Sequence, residues 1–204
     1  MNKNSITSII NHVEKIVKKD YSGELHHGWA HLNRVRNYAV YIAEKEGADA
    51  FIVELAALMH DIAKIKYGST VKNHAKKGAL MAGIILEKLD LDNNTIKKVC
   101  SCINTHSRRE PPKPKTLEEK CLFDADGLEL VGTVGILRTA LYAAYYDKTW
   151  NDMLRKVGSR ISKAKFYTST GKKIAKKRIK FVKKFYEKME LELNWKKENK
   201  KKKD

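Results

Sequence analysis

Proline, cysteine and long apolar runs are all scarce in this sequence of 204 residues. Its three prolines lie together within residues 108–115, so the strongest helix breaker is absent from the rest of the chain. Its three cysteines are too few and too irregularly spaced for a disulfide framework or a four-cysteine zinc site, and we expect reduced thiols. The longest apolar stretch, residues 51–59, falls far short of the roughly 20 residues that cross a bilayer, which excludes a membrane span.

The features of a secretory signal are lacking as well. Residues 1–10, MNKNSITSII, do not show the required succession of charged, apolar and small residues, so we expect a cytoplasmic protein. The chain is long enough to bury one core, and no Gly/Ser-rich linker divides it. We therefore expect one domain over residues 1–194, followed by a disordered lysine-rich tail over residues 195–204.

Positive charge is in excess, since 42 lysines and arginines against 24 aspartates and glutamates give a net charge of +18. Such a balance suits an anionic substrate or a nucleic acid. Much of the excess follows Arg155, in residues 172–184 and in the tail, where it is typical of a solvated helix face. Nucleic-acid binding thus stays open but is not favoured, and a small phosphate compound is the preferred partner.

Helical periodicity dominates the sequence. From Trp29 onward, apolar residues and His31 recur every three or four positions, which predicts one buried helix face. Residues 50–64 are apolar nearly all round and predict a buried central helix. Further helices are predicted at residues 79–89, 95–105, 117–126 and beyond, 135–146 and 171–193. Because no run of alternating β-branched residues is present, the sequence predicts an all-α, irregular helical bundle.

His60 and Asp61 lie side by side in the most apolar predicted helix, where an unpaired carboxylate costs several kcal/mol. Successive helical residues point about 100° apart, so this pair can close on one ion beside the helix. His31 on an earlier helix and Asp126 on a later one can converge on the same ion, with Asp124 competing for the last place. Two nitrogen and two oxygen ligands suit manganese, iron, zinc or nickel better than calcium.

Three segments, in the order HGWAHLNRV, LAALMHDIAK and LFDADGLELVGTVGILRTA, carry a resemblance to a known family. They resemble the HD-domain phosphohydrolase superfamily over residues 21–193, and are most similar to small stand-alone bacterial and archaeal HD hydrolases, which include nucleotide pyrophosphatases. The family's four metal ligands fall on His31, His60, Asp61 and Asp126 without substitution. The resemblance implies the HD-domain helical fold and one divalent cation, with manganese favoured over iron, nickel, zinc or magnesium.

The resemblance also implies hydrolysis of a phosphate bond, most concretely of nucleoside or deoxynucleoside triphosphates to monophosphate and pyrophosphate. A metal lowers the pKa of a bound water and polarises a phosphoryl oxygen, which fits this reaction. Asp61, beside that water, is predicted to act as general base or to orient the water. Lys64, one helical turn after His60, could place its ammonium on a substrate phosphate, although an ordinary surface lysine is the alternative.

Polar residues between these motifs are further candidates for the substrate site. His74 and His106 are predicted to contact phosphate, and His106 also to donate a proton to the leaving group. We favour one metal over two, because the adjacent histidine pair of a full two-metal site is missing. Arg108 and Arg109, in the proline-containing loop, could bind a polyphosphate through their guanidinium groups.

Four residues are predicted to have supporting roles. His27, one turn before the metal histidine, could support that ligand without touching the metal. Asp124 becomes a cap or a supporting residue once the family match places the metal on Asp126. Arg34 and Glu54 are predicted to form an ordinary ion pair between helices.

Two other functions stay open. A nucleotidase or general phosphomonoesterase could use the same four ligands and would release phosphate instead of pyrophosphate. A basic nucleic-acid-binding module could use the C-terminal lysines and keep the metal only to hold the fold, and its binding would fall steeply with salt. Hydrolysis of cyclic dinucleotides or alarmones is not favoured, since no G-Y-P segment or E-D pair follows the doublet. Aromatic residues such as Trp150 leave a homodimer open.

Overall fold

The computed structural model describes residues 2–20 and 28–194, and within these ranges the chain forms ten α-helices and no strand. The predicted all-α fold is confirmed. His27 and the predicted tail at residues 195–204 lie outside the described residues. The helices are α1 (Lys3–Asp20), α2 (Trp29–Glu46), α3 (Ala50–Met59), α4 (Ile62–Tyr67), α5 (His74–Glu87), α6 (Asn93–Thr105), α7 (Leu117–Leu128), α8 (Thr133–Tyr145), α9 (Trp150–Ser162) and α10 (Ser169–Leu193).

Side-chain caps set the start of several helices. Asp49 accepts hydrogen bonds from the first backbone amides of α3. Thr116 with Glu119 opens α7, and Thr149 with Asp152 opens α9, each pair forming a reciprocal capping box. The second box begins a helix that the apolar periodicity does not predict. Helix α1 is likewise an addition to the predicted set.

One large apolar core joins α2, α3, α6 and α7, with α1, α5 and α10 packed around them. Helix α3 lies at its centre, where every residue from 52 to 59 except Glu54 is buried. Helix α2 packs against α3 and α7, and α6 packs against α3, α5 and α7. Burial of apolar side chains is the main favourable term in such a fold, so this packing fixes how α2, α3 and α7 lie relative to one another.

The predicted central helix over residues 50–64 is wrong in one respect, because it is broken at the His-Asp doublet. Helix α3 ends at Met59, His60 and Asp61 form a turn, and α4 begins at Ile62. Asp61 has φ −105° and ψ 11°, outside the α-helical region. The directions of the two side chains are therefore set by this turn and not by helical spacing.

A second, smaller core lies between α8, α9 and α10. It is built from Ile136, Ala143, Met153, Val157 and Val182. Helix α9 packs on α8 and α10, while α10 also contacts α2 and α7 of the large core. The α8–α9 pair is thus tied to the main bundle through α10.

The predicted ion pair between Arg34 and Glu54 is wrong. Arg34 pairs with Glu129 at 2.9 Å, and Glu54 pairs with Arg36 at 2.5 Å. Residues two apart on a helix point about 200° from each other, so the two arginines of α2 reach different neighbours.

No single helix in the described ranges is long and apolar enough to cross a membrane. The consecutive helices α7 and α8 pass a test of length and composition only when they are taken together, across a bend of 65°.

Candidate metal centre

Two histidines and two aspartates from three parts of the fold meet beside the large core. His31 lies in the first turn of α2, His60 and Asp61 form the turn after α3, and Asp126 lies in the last turn of α7. Asp61 Oδ2 is 3.9 Å from His31 Nε2 and 3.7 Å from His60 Nε2, and Asp126 Oδ1 is 3.8 Å from His31 Nε2. One ligand atom from each of His31, His60 and Asp126 lies within 4.8 Å of the others. The structure thus brings together the four residues that the sequence predicts as ligands.

Hydrogen-bond acceptors behind the rings fix the direction of both imidazoles. His60 Nδ1 donates to the Ala57 carbonyl at 2.8 Å, and His31 Nδ1 faces Glu129 Oε2 at 3.2 Å, so each ring presents Nε2 to the cluster. His60 is fully buried, and its Nε2 has no hydrogen-bond partner in the part of the chain that the structure describes. A buried nitrogen lone pair without a partner is costly, and a cation would satisfy it. These residues therefore fit a divalent metal.

The charge states of these groups suit a metal as well. Burial lowers the pKa of His60 to about 4 and also lowers the pKa of His31, although nearby carboxylates act in the opposite direction. Burial alone would raise the pKa of Asp126, but the His60 and His31 rings hold it below its usual value. Near neutral pH the site therefore offers neutral imidazoles and an ionised Asp126 carboxylate, which are the forms that bind metals.

Glu129 supports His31 from behind and is not predicted by the sequence. Its side chain is fully buried, and its carboxylate lies 3.2 Å from His31 Nδ1, 2.9 Å from Arg34 and 3.5 Å from Arg138. Burial would raise the pKa of Glu129, yet its contacts with His31 and Arg34 lower it. A carboxylate in this position fixes the orientation of a metal histidine and strengthens it as a ligand. The only sequence signal for it is its place one helical turn after Asp126.

A second group of potential ligands, Asp61, His74 and His106, adjoins the first. Asp61 Oδ1 is 3.5 Å from His106 Nε2 and 2.8 Å from the Lys64 ammonium. The His74 and His106 rings meet edge to face with their centroids 5.1 Å apart, and His74 Nδ1 is 3.3 Å from Glu110. Lys64, His74 and His106, which are predicted to contact phosphate, thus lie together on one side of Asp61.

Arg108, which is predicted to bind a polyphosphate, lines the cleft described below and also binds the protein's own backbone. Its Nη1 and Nη2 donate to the backbone carbonyls of Lys165 at 2.7 Å and Phe123 at 3.1 Å. Its guanidinium also lies over the rings of Phe123 and Phe166. These contacts tie the proline-containing loop to α7 and to the segment before α10, which indicates a structural role for Arg108. The neighbouring Arg109 is exposed at the edge of the cleft described below.

Asp124 lies outside the cluster of candidate metal ligands and is fully buried on another side of α7. Its carboxylate accepts hydrogen bonds from the Tyr167 amide at 2.9 Å and from the Thr168 amide and hydroxyl at 2.8 and 2.7 Å. Asp124 therefore caps the backbone that leads into α10 and, through α10, helps to hold α8 and α9 beside the site.

A cleft of about 460 Å³ opens beside the metal cluster, and His31, Asp61 and Asp126 form part of its lining. Its lining contains seven lysines or arginines but three aspartates or glutamates. A cleft with this balance suits an anion that carries several charges. Its cations are Lys64, Lys72, Arg108, Arg109, Arg138, Lys156 and Arg160, of which the last three come from α8 and α9 and are not predicted by the sequence.

Comparison with known sequences identifies a family model that matches this chain and a related protein. The family model described as HD domain matches residues 28–130. The uncharacterised protein YpgQ of Bacillus subtilis is 30% identical over an alignment of 200 positions that covers 89% of this chain and 90% of YpgQ.

Solved structures extend the similarity beyond the residues that the family model matches. A predicted HD superfamily hydrolase from an uncultured Thermotogales bacterium has a TM-score of 0.69 and 27% identity, and the match covers 95% of this chain and 99% of that one. The structure of Bacillus subtilis YpgQ in complex with ADP has a TM-score of 0.72 and 26% identity, and the match covers 92% of this chain and 96% of YpgQ. At such coverage the shared fold includes most of the helices on both sides of the cleft.

Proposed function

This chain belongs to the HD domain family of metal-dependent phosphohydrolases, and we propose that it hydrolyses nucleoside or deoxynucleoside triphosphates to monophosphate and pyrophosphate. The proposal is carried by one observation: a cluster of metal ligands and an excess of cations line the same cleft. The complex of YpgQ with ADP supports a nucleotide as the class of ligand.

His31, His60, Asp61 and Asp126 would hold one divalent cation, and manganese is the metal that we propose for this mixed nitrogen and oxygen set. When bound, the cation supplies Lewis acidity to a phosphoryl oxygen and lowers the pKa of water at the site.

Asp61 is the residue that we propose to orient the attacking water and to accept its proton. Its Oδ2 lies 3.9 and 3.7 Å from His31 and His60, and its Oδ1 lies 3.5 Å from His106. The Lys64 ammonium donates to Oδ2 at 3.0 Å and also lies 2.8 Å from Oδ1. One carboxylate oxygen can therefore serve the metal cluster while the other serves the substrate side. The Lys64 ammonium, 2.8 Å from Oδ1, is close enough to share its hydrogen bonds with a phosphate oxygen.

In the proposed reaction the oxygen of water bonds to the α-phosphorus, and the bond from that phosphorus to the bridging oxygen of the β-phosphate breaks. The bonding electron pair leaves with pyrophosphate, and one proton of the water passes to Asp61 and then to solvent. His106 Nδ1 donates to the Ile103 carbonyl at 2.6 Å, so its Nε2 is a hydrogen-bond acceptor while the ring is neutral. His106 would serve the leaving oxygen as a proton donor only in its protonated form.

Metal content and nucleotide hydrolysis, measured side by side, test this function. We compare the parent protein with Asp61→Ala and with the control His12→Ala, whose side chain is exposed on α1. The parent and the control should bind about one metal per chain and release pyrophosphate with manganese, because their ligand sets are complete. Asp61→Ala should lose both properties. A parent that holds the metal but cleaves no nucleotide would show that the site is structural.

The same assay separates the two other functions that stay open. Release of inorganic phosphate from a nucleoside monophosphate would indicate a nucleotidase. Absence of turnover, together with salt-sensitive binding of nucleic acid, would favour the binding module, since the lysines of α10 such as Lys176 and Lys180 are exposed.

A further inference from the structure

Three cations on the α8–α9 side of the cleft have no carboxylate partner among the residues that the structure describes. They are Arg109, from the proline-containing loop, and Lys156 and Arg160, four residues apart on α9. The Lys64 ammonium on the opposite side is paired with Asp61. Lys156 and Arg160 are half-buried, so each has lost part of its hydration without gaining an ion pair within 4 Å among the described residues. Cations held in this way indicate a site for an anionic ligand.

Arg160 is fixed in position by one of its three nitrogens. Its Nη1 donates to the Gly135 carbonyl at 3.2 Å and to the Thr139 hydroxyl, both on α8. The other N–H groups of its guanidinium make no hydrogen bond within the described ranges. An arginine that is anchored at one end and has free donors at the other is pre-organised to bind a phosphate oxygen.

Lys156 lies one helical turn before Arg160 and faces the same side of the cleft. Its ammonium is 3.4 Å from the centroid of the Tyr142 ring, which holds it against α8. Burial, together with the charges of Arg160 and Arg109, lowers the pKa of Lys156 to about 8. The three cations are thus close enough to repel one another, and a shared anion would relieve that repulsion.

A row of contacts connects this group to the metal cluster. Glu129 contacts His31 on one side and Arg138 on the other, at 3.2 and 3.5 Å. Arg138 is the neighbour of Thr139 on α8, to which Arg160 donates. The candidate metal ligands His31, Asp61 and Asp126 line the same cleft as Arg109, Lys156 and Arg160.

We propose that Arg109, Lys156 and Arg160 form a subsite for the β- and γ-phosphates of the substrate. In this arrangement the α-phosphorus lies at the metal cluster, and the three cations hold the pyrophosphate group that leaves. The subsite selects triphosphates over monophosphates, because a monophosphate has no group to place there. This proposal rests on the proposed function and names the residues that determine its substrate class.

Two measurements on the same variants test the subsite. The first is calorimetric binding of inorganic tripolyphosphate to the metal-free protein in EDTA, and the second is the KM for a deoxynucleoside triphosphate with manganese. Lys156→Ala and Arg160→Gln should each weaken tripolyphosphate binding and raise the KM by about tenfold or more, as expected for loss of a charge-assisted hydrogen bond.

Arg155→Ala is the matched control, since it removes one positive charge from the same helix at a side chain that is 76% exposed. Arg160 also bonds to α8, and its variant is interpreted only if its melting curve shows a folded protein. Lys156→Ala removes no hydrogen bond to another residue in the described ranges and carries the test by itself if Arg160→Gln does not fold.

The subsite is supported if only Lys156→Ala and Arg160→Gln lose affinity for tripolyphosphate. It is overturned if the folded variants bind tripolyphosphate as tightly as Arg155→Ala does. A parent that binds tripolyphosphate through these residues but releases no pyrophosphate from nucleotides would leave the subsite standing and refute the proposed function. If the parent releases pyrophosphate and both variants keep its KM, the subsite is refuted and the proposed function stands.

Discussion

Replacing Glu129 with glutamine should weaken metal binding and destabilise the fold at the same time. Its carboxylate is fully buried and contacts His31, Arg34 and Arg138 at 3.2, 2.9 and 3.5 Å. Glutamine keeps the size of the side chain but removes the negative charge that Arg34 and Arg138 contact. It also removes the ionised acceptor that orients His31.

The two effects have different magnitudes. Removing one partner of a buried ion pair costs about 3–5 kcal/mol, and we take about 3 because the Arg34 side chain is 33% exposed and can turn to water. For a chain of this length each kcal/mol corresponds to roughly 2–4 °C, so the melting temperature in EDTA should fall by roughly 6–12 °C. Loss of a carboxylate behind a metal histidine weakens metal affinity by about ten- to a hundredfold.

Glu54→Gln provides the matched control for this substitution. Glu54 pairs with Arg36, but the two side chains are 17% and 19% exposed and lie away from the metal ligands. We expect a smaller loss of stability than in Glu129→Gln, because Arg36 keeps a second carboxylate, Glu14, at 2.7 Å, and we expect an unchanged metal affinity. Titration calorimetry measures the metal affinity of both variants, and thermal melts measure their stability. Parent-like metal affinity in a folded Glu129→Gln protein would refute the idea that Glu129 acts through His31.

Three further predictions concern stability. The pKa of His60 is about 4 in the folded protein and 6.5 in the unfolded chain, so the folded state binds fewer protons between these pH values. The metal-free protein should therefore lose roughly 3 kcal/mol of stability as the pH falls from about 6.5 to about 4. Urea unfolding in EDTA that gives the same stability at these two pH values would contradict this prediction. Arg108→Ala should lower the free energy of unfolding by about 2–4 kcal/mol, because two backbone carbonyls and two aromatic faces lose their partner. A change below about 1 kcal/mol in urea unfolding would contradict this prediction. Gly127→Ala should cost about 1–3 kcal/mol in the same assay, because its methyl group would overlap the Arg108 guanidinium, and this cost should disappear in the Arg108→Ala background. Gly83→Ala is the control for the last substitution, since its methyl group would meet only the Cys100 sulfur at 3.5 Å.

The helical class and the candidacy of the His60–Asp61 doublet as metal ligands could be predicted from local signals, whereas the choice of His31 and Asp126 rested on the resemblance to a family. Periodicity shows which face of a helix is buried, and a charged doublet within the apolar sequence around His60 and Asp61 needs a compensating partner. The break between α3 and α4 could not be predicted in this way, because the turn leaves the apolar pattern intact. The capping box at Thr149 and Asp152 was a usable signal for α9 that periodicity alone does not include.

Contacts between helices that are distant along the chain could not be predicted from the sequence. Arg34 finds Glu129, 95 residues away, in place of the predicted Glu54, because the choice depends on which helix faces α2 at that point. For the same reason the position of Lys156 and Arg160 in the cleft could not be predicted. Their position in the cleft depends on the small core between α8, α9 and α10, and nothing in the spacing of two basic residues shows which surface they will face.

Phosphorus NMR of dATP incubated with the manganese-loaded protein, recorded on aliquots from which the paramagnetic manganese has been removed on a chelating resin, tests the central claim most directly, since it identifies which phosphate bond is broken. We expect the resonances of dAMP and pyrophosphate to grow together as those of dATP decline, and neither to grow when EDTA is present. Accumulation of inorganic phosphate with dADP, or an unchanged spectrum from a protein that retains its metal, would contradict the proposed cleavage between the α- and β-phosphates.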